Sequence, residues 1–120
     1  MTDPEVLPGA DRAVVPREKL DAYLLNPEHP IGRHKARVFA SALGLRRSDW
    51  PYLRNRLETG ILQAPVTSVR ETPWGRLYEA VVPVEGLNGE TRSVLTVWLV
   101  APRGAPRFVT AYVVDPPRDA

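Results

Sequence analysis

The spacing of apolar residues changes from a helical to a strand period near Ile61. Before this point, apolar residues recur every three or four positions, as Leu53 and Leu57 do, which is typical of amphipathic helices. After it, β-branched and aromatic residues form short runs that are separated by turn signals such as Asn88-Gly89. A chain that separates helices from strands in this way is expected to fold as an α+β domain, with its helices on one face of an antiparallel sheet.

About three helices are predicted in the first half of the chain. They are expected at residues 17–25, about 32–43 and 48–60. In the first of them, Leu20, Tyr23 and Leu24 are spaced to form one apolar face. A proline disfavours a helical residue before it, so Asn26-Pro27 ends the first helix. Gly44 is a natural C-cap for the second helix, and Ser48 is a plausible N-cap for the third.

Four strands are predicted in the second half. They are expected around residues 66–69 and at 77–84, 92–101 and 107–114. The turns between them contain Pro73-Trp74-Gly75, Asn88-Gly89 and Pro102-Arg103-Gly104. Asn-Gly is the strongest short-range hairpin signal, and three consecutive hairpins give a four-stranded antiparallel meander. The domain is placed at residues 16–115, between an irregular N-terminal arm (1–15) and a loose tail (116–120).

Composition limits the available chemistry. The 120-residue chain fits a single domain, and it has no cysteine, which excludes disulfides, thiolate metal ligands and cysteine nucleophiles. Asp3 and Glu5 stand where a signal peptide would be basic, and no stretch approaches the roughly 18 apolar residues of a membrane-spanning helix. A cytoplasmic protein without a membrane partner is therefore predicted. Phosphate-binding loops and metal-ligand spacings are not found in the sequence, so neither a cofactor nor a metal is predicted.

The basic residues are nearly all arginine. Of the 16 basic residues only Lys19 and Lys35 are lysine, and the net charge is +2. Arginine binds phosphate bidentately and stacks on bases, which permits an RNA partner. A GC-rich genome also favours arginine over lysine and enriches proline, so the composition leaves both explanations open.

The two faces of the predicted sheet carry different residues in the last two strands. Strand alternation assigns one set to the face that meets the helices: Leu95, Val97, Leu99, Val109, Ala111 and Val113. It assigns the other set to an exposed face: Thr96, Trp98, Phe108, Thr110 and Tyr112. Aromatic side chains among hydroxyls suit a stacked base. The same residues are also ordinary strand formers that stabilise any sheet.

Lys35 interrupts the apolar stripe of the second predicted helix. Ile31, Val38, Phe39 and Ala42 define the predicted buried face, and Lys35 falls near its middle. A lysine at such a position either extends its amine to water, finds a partner, or is desolvated and suited to acid–base chemistry. The first turn of a helix also presents free backbone N–H groups, so this segment favours binding of an anion. The residues that could converge on a phosphate are His29, Gly32, Arg33, His34 and Lys35.

The pattern N-P-x-H-P-x-G-x-x-K-A-x-x-F falls on Asn26, Pro27, His29, Pro30, Gly32, Lys35, Ala36 and Phe39. A strand at 96–100, followed by Arg107 and by residues 110–112, accompanies it. Together, over residues 7–113, these features resemble an uncharacterised family of small bacterial domains. Members of that family occur as free-standing proteins and within large polymorphic toxins. The order of helices before a four-stranded sheet is also similar to barnase-, colicin- and RelE-like ribonucleases, which cut RNA without a metal.

This resemblance implies a metal-independent ribonuclease, the toxin of a toxin–antitoxin or polymorphic toxin system. Lys35 and Arg107 would stabilise charge on the phosphate, and His29 would act as general acid or base. Thr96 and Tyr112 would orient the nucleotide. Residues expected to bind substrate are Gly32, Arg33, His34, Trp98 and Thr110. The expected partners are an RNA substrate and a cognate antitoxin or other protein.

Two other functions remain open from the sequence. One is a non-catalytic module that binds a protein or RNA, and the other is an antitoxin- or immunity-like partner protein. A net charge of +2 is small for tight non-specific RNA binding, and it does not favour an acidic antitoxin either. The sequence does not specify the substrate, the partner or the oligomeric state.

Overall fold

A computed structural model describes residues 5–114 of the chain. Within these residues, three helices precede a four-stranded antiparallel sheet, so the predicted α+β fold is confirmed. The elements are α1 (Arg17–Lys19), α2 (Arg33–Leu43), α3 (Trp50–Gly60), β1 (Val66–Thr72), β2 (Gly75–Glu85), β3 (Thr91–Val100) and β4 (Arg107–Val114). In this part of the chain, no helix combines the length and apolar character needed to cross a membrane. The predicted tail at 116–120 lies outside the described residues.

The first helix is unusual because α1 continues directly as a π-helical turn at Leu20–Leu24. The N–H of Leu25 donates to the carbonyl of Leu20 and closes this wider turn. Leu20 and Leu24 are fully buried. Tyr23, between them in sequence, is only half-buried. The turn therefore anchors two leucines in the core while the Tyr23 ring reaches polar neighbours.

The second helix ends as predicted, at Gly44 with φ +67°. Its buried face follows the prediction at Phe39 but differs elsewhere, because Ala36 and Leu43 are buried whereas Ile31 is 73% exposed and Val38 is 42% exposed. α2 packs mainly against β4, which is an edge strand. The side of the helix that extends past this edge therefore remains in water.

The third helix presents Leu53 and Leu57 to the core, as predicted, and ends at Gly60. A short 3-10 turn, Arg47–Asp49, precedes it, so the helix begins after Asp49. Ser48 lies inside that 3-10 turn, and its predicted role as the N-cap is wrong.

The sheet is the predicted meander, in the order β1-β2-β3-β4 with every neighbouring pair antiparallel. The helices cover one face. The side chains that form the core there include Leu20, Leu24, Phe39, Leu43, Leu53, Leu57, Val82, Val84, Val94, Trp98, Phe108 and Ala111.

The predicted faces of β3 are reversed in the structure. Thr96 and Trp98 are completely buried, whereas Leu95, Val97 and Leu99 are half-buried on the uncovered face. The Thr96 hydroxyl donates to the carbonyl of Ala80 at 2.7 Å and accepts from the indole N–H of Trp98 at 2.8 Å. Because these polar atoms satisfy one another, the threonine and the indole are accommodated in the core.

A bulge in β4 explains why its two faces follow the prediction only in part. Val97 pairs with Thr110 and Trp98 pairs with Phe108, so Val109 is an extra residue. As a result Phe108 and Ala111 both face the core, and Phe108 packs edge-on against Trp98 with ring centroids 5.2 Å apart. The predicted exposure of Phe108 is therefore wrong. The Cα pairing directs Thr110 and Tyr112 away from the core, as predicted, and both lie at the sheet edge beside α2.

The N-terminal segment reaches both edges of the sheet, and its Val6 forms an antiparallel bridge with Pro65, next to the start of β1. Residues 5–15 contain a 3-10 turn, Ala10–Arg12, and their Leu7 and Val15 are buried in the core. Val14 forms a parallel bridge with Arg107 at the start of β4. This bridge covers the beginning of the edge strand and leaves its later residues to contacts with α2.

Candidate functional site

Lys35 lies in the first turn of α2, beside β4. Its ammonium donates a hydrogen bond to Tyr23 Oη at 2.7 Å and another to Thr110 Oγ1 at 3.2 Å. One side chain from each of three elements thus meets at the Lys35 ammonium. The elements are the π-helical turn, α2 and β4. We call Tyr23, Lys35 and Thr110 the Lys35 cluster. It joins a fixed cation to two hydroxyl groups at an edge of the sheet.

The electrostatics of the cluster favour ionisation of Tyr23. Burial raises the pKa of the phenol, but hydrogen bonds with Lys35 and Thr110, followed by the positive charges of Lys35 and Lys19, outweigh that effect and lower it below its ordinary value. The Lys35 ammonium also lies 5.2 Å from the centroid of the Tyr23 ring and 6.0 Å from that of Tyr112. Perturbed acid–base groups of this kind occur often at functional sites.

The loop before α2 is organised around the imidazole of His29. The backbone N–H groups of Ile31 and Gly32 both donate to His29 Nδ1, at 3.0 and 2.9 Å. Nδ1 therefore carries no proton, and a neutral ring holds its proton on Nε2. The same ring packs edge-on against Tyr23, with centroids 5.1 Å apart. His29 thus fixes both the start of the helix and one side of the Tyr23 ring.

Asn26 and Gly32 complete the loop. Asn26 Oδ1 accepts from the N–H of Glu28 at 3.0 Å, and its side-chain amide donates to the carbonyl of Ala22 at 3.3 Å. Gly32 is buried directly beside Tyr23, where a β-carbon would collide with the tyrosine. The N-P-x-H-P-x-G part of the motif therefore builds the support for Tyr23 and Lys35.

A shallow hollow of about 380 Å³ adjoins the cluster, between α2 and β4. Its walls are His34, Lys35, Val38, Tyr112 and Val113. Lys35 belongs both to this wall and to the cluster, so the hollow and the cluster are directly adjacent.

Two more basic residues flank the cluster. The Lys19 ammonium donates to the carbonyl of Val109 at 3.4 Å. Arg107 is exposed and lies three residues before Thr110, which corresponds to about 10 Å of strand. Arg33, in contrast, is exposed and donates to the carbonyl of Pro30 at 2.9 Å.

The described residues contain no group of three His, Asp or Glu side chains that could hold a metal ion.

The structure gathers most of the site residues predicted from sequence. Lys35 and Thr110 are in direct contact, His29 and Gly32 support Tyr23, and His34 and Tyr112 line the hollow. Arg107 lies on the same strand as Thr110, and Arg33 is bonded to its own loop. Thr96 and Trp98 are completely buried in the core, where a ligand does not reach them.

Sequence reasoning missed Tyr23. Its spacing from Leu20 and Leu24 assigned it to the apolar face of the first helix, and a π-helical turn is not visible in that spacing. The available indication was chemical, because Lys35 needed a polar partner and Tyr23 is a phenol close to it in the chain. Single π-helical turns are frequent at functional sites.

These features define a small α+β domain with a polar cluster at the edge of an antiparallel sheet. The chain belongs to the family described as Domain of unknown function (DUF6883), whose model matches residues 6–115. No curated protein matches the chain. Among solved structures, its fold is similar to a chain of the contact-dependent growth inhibition toxin–immunity protein complex from Klebsiella pneumoniae 342. That similarity has a TM-score of 0.69 at 14% identity, and it covers 92% of this chain and 100% of the other.

Proposed function

We propose that this protein is a metal-independent ribonuclease that acts as a bacterial toxin. The observation that carries the proposal is the Lys35 ammonium, held between the hydroxyls of Tyr23 and Thr110 beside an open hollow. A fixed cation in contact with a phenol of lowered pKa offers both proton transfer and charge stabilisation. Cleavage of a phosphodiester by its neighbouring 2′-hydroxyl needs both.

Tyr23 and Lys35 together can supply both proton transfers of this cleavage and then return to their starting protonation states. Ionised Tyr23 accepts the proton of the 2′-hydroxyl as the 2′-oxygen forms a bond to phosphorus. The bond between phosphorus and the 5′-oxygen breaks, and the leaving oxygen takes a proton from the Lys35 ammonium. The products are a 2′,3′-cyclic phosphate and a 5′-hydroxyl. The proton on Tyr23 then returns to Lys35 across their 2.7 Å hydrogen bond, which restores both groups.

The remaining residues position these two groups or stabilise charge. Thr110 holds the amine in place, and Arg107 supplies a second cation for the phosphate. His29 is assigned a positioning role rather than the acid–base role expected from sequence, because its Nδ1 is occupied by two backbone donors and its ring packs against Tyr23. Burial excludes Thr96 and Trp98 from the proposed site.

The toxin role is supported by the fold similarity to a chain from a toxin–immunity protein complex and by the motif centred on Lys35. A ribonuclease toxin must be neutralised in the cell that makes it. We therefore also propose a cognate protein partner that binds this domain.

The test is cleavage of RNA by the purified protein in the presence of EDTA. Lys35→Met keeps the length of the side chain and removes its charge, and we expect it to lower the rate by about 10²–10⁴-fold. Arg37→Met, an exposed position on the same helix, is the matched control and should keep its activity. Products ending in 2′,3′-cyclic phosphate are expected. Wild-type protein that leaves every RNA intact, or fully active Lys35→Met, contradicts the proposal.

An immunity- or antitoxin-like role is the second candidate, because the complex with the similar chain contains an immunity protein as well as a toxin. Expression of the chain alone distinguishes the two. A ribonuclease toxin arrests growth and fragments RNA, and Lys35→Met abolishes both effects. An immunity-like protein or a non-catalytic binding module leaves growth and RNA unchanged, and a pull-down would then identify its partner.

A further inference from the structure

The hollow beside the Lys35 cluster has no role in the proton transfers described above. Its walls include Val38, which is 42% exposed, and Tyr112, which is 37% exposed. Concave apolar surface that remains open to water is typical of a ligand-binding site. The Cα pairing directs Tyr112 away from the core, so its ring is available to a ligand.

We propose that this hollow is a nucleobase subsite, in which an unpaired base next to the scissile phosphate stacks on Tyr112 and contacts Val38. This inference rests on the proposed ribonuclease function and names the feature of the RNA that the site selects. It assigns to Tyr112 and Val38 the recognition of the nucleotide that Lys35 and Tyr23 cleave.

The positive charge of Lys35 and its closeness to the Tyr112 ring indicate that the occupant is a nucleotide base. Lys35 is a wall of the hollow, and its ammonium lies 6.0 Å from the centroid of the Tyr112 ring. A nucleotide joins an anionic phosphate to a planar ring through one ribose, so it can meet the cation and the exposed aromatic wall together. Small-molecule sites usually measure about 300–1,000 Å³. The volume of about 380 Å³ is at the lower end of that range and suits a single base.

The composition of the walls predicts the kind of selectivity. Val38, Tyr112 and Val113 offer mainly apolar atoms and a π-face, which suit stacking better than hydrogen bonding to base edges. Stacking tolerates different bases but requires that the base is free of its own helix. Cleavage should therefore occur at unpaired positions and depend weakly on base identity.

The experiment uses DNA oligonucleotides that carry one ribonucleotide, so that only one phosphodiester can be cut. The base on each side of that bond is replaced in turn by an abasic residue. For the wild type, one of the two replacements should lower kcat/KM by about ten- to a hundredfold. Tyr112→Ala should lower cleavage of the intact oligonucleotide by a similar factor and lose this dependence on the base. Tyr112→Phe, which keeps the ring, should retain the dependence.

Trp74→Ala is the matched control, because Trp74 is 73% exposed in the turn between β1 and β2 and β1 forms the opposite edge of the sheet. It should cleave like the wild type. A readout without cleavage uses a 2′-O-methyl oligonucleotide with 2-aminopurine at the sensitive position. Its fluorescence should be quenched by the wild type and by Trp74→Ala, and not by Tyr112→Ala.

The outcomes separate the two proposals. If the wild type cleaves and Lys35→Met does not, but the abasic replacements affect the wild type and Tyr112→Ala equally, the subsite is overturned and the ribonuclease proposal stands. If the wild type cleaves none of the oligonucleotides and quenches no fluorescence, both proposals are overturned.

Discussion

The aromatic ring of Tyr23 lies directly against the α-carbon of Gly32. A β-carbon on residue 32 would come within 2.8 Å of Cδ1 of the ring and 2.5 Å of the Tyr23 carbonyl oxygen. Gly32 has φ −80°, which any residue can adopt. Glycine is therefore required here by space and not by backbone conformation. A residue without a side chain thus determines where a side chain of the Lys35 cluster lies.

Gly32→Ala should displace the Tyr23 ring from Lys35 and lower RNA cleavage by about a hundredfold, because small misplacements of catalytic groups are costly. Gly89→Ala is the control. It adds the same methyl group where there is open space, although its φ of +87° makes alanine unfavourable by about 1–2 kcal/mol. Both variants should lose stability in denaturant unfolding, and only Gly32→Ala should lose activity per folded molecule. Equal activities would contradict the role given to Gly32.

Tyr23 should ionise below the ordinary pKa of tyrosine. Burial alone would raise that pKa, but the hydrogen bonds and charges supplied by Lys35, Thr110 and Lys19 outweigh it. An ultraviolet titration of phenolate absorbance should lose its earliest step in Tyr23→Phe, and in Lys35→Met that step should move to higher pH. Cleavage should increase with pH until Tyr23 is ionised. A titration that is the same for Tyr23→Phe and wild type would disprove the assignment.

The lowered pKa of Tyr23 also makes the stability of the fold depend on pH. The pKa of Tyr23 is lower in the folded chain than in the unfolded chain, so its ionisation favours folding. This contribution is complete above the unfolded value, about 10, and is lost as the pH falls through the folded value. The free energy of unfolding of wild type minus that of Tyr23→Phe should therefore grow between neutral pH and about pH 10. A difference that does not change with pH would argue against the shift.

Substitution of His29 separates positioning from proton transfer. His29→Ala leaves the N–H groups of Ile31 and Gly32 without their acceptor, which should cost about 0.5–1.5 kcal/mol of stability and much of the activity. His29→Asn offers an amide oxygen that can accept from an N–H two residues later, so it should recover most of both. Thermal unfolding and cleavage rates measure the two effects. If His29→Asn is as stable as the wild type but inactive, His29 transfers a proton after all.

Thr96 should matter for stability and not for activity. Thr96→Val removes the acceptor of the Trp98 indole and the donor to the Ala80 carbonyl, both in the core. This change should cost about 1–3 kcal/mol in denaturant unfolding, and Thr96→Ser should cost less. Activity per folded molecule should remain that of the wild type. Lost cleavage at unchanged stability would instead support the catalytic role expected from sequence.

The element order was predictable because prolines, glycines and turn residues mark the ends of helices and strands locally. The faces of β3 were not predictable from alternation, because both sets of side chains are apolar or aromatic and either can fill a core. The polar atoms of Thr96 and Trp98 are satisfied in the core by their mutual hydrogen bond and by the bond from Thr96 to the distant Ala80 carbonyl, which alternation does not reveal. The bulge at Val109 adds a second irregularity that alternation does not anticipate.

The candidate site, too, was only partly predictable from the sequence. Lys35 and Gly32 were found because a lysine in an apolar stripe and a glycine in a loop motif break local patterns. Tyr23 fits the apolar pattern of its helix, so its contact with Lys35 is seen only in the folded structure. The location of the domain in the cytoplasm and its division at residue 16 stay predictions.

Lys35 and Tyr23 are 12 residues apart in the chain, whereas Lys35 and Thr110 are 75 apart. During synthesis the N-terminal part of a chain is available to fold first, so the phenol and the amine can meet long before β4 exists. The amine gains its second acceptor only when the last strand joins the sheet. The proposed ribonuclease site is therefore complete only after synthesis has reached the last strand, which protects the RNA of the ribosome that is producing it.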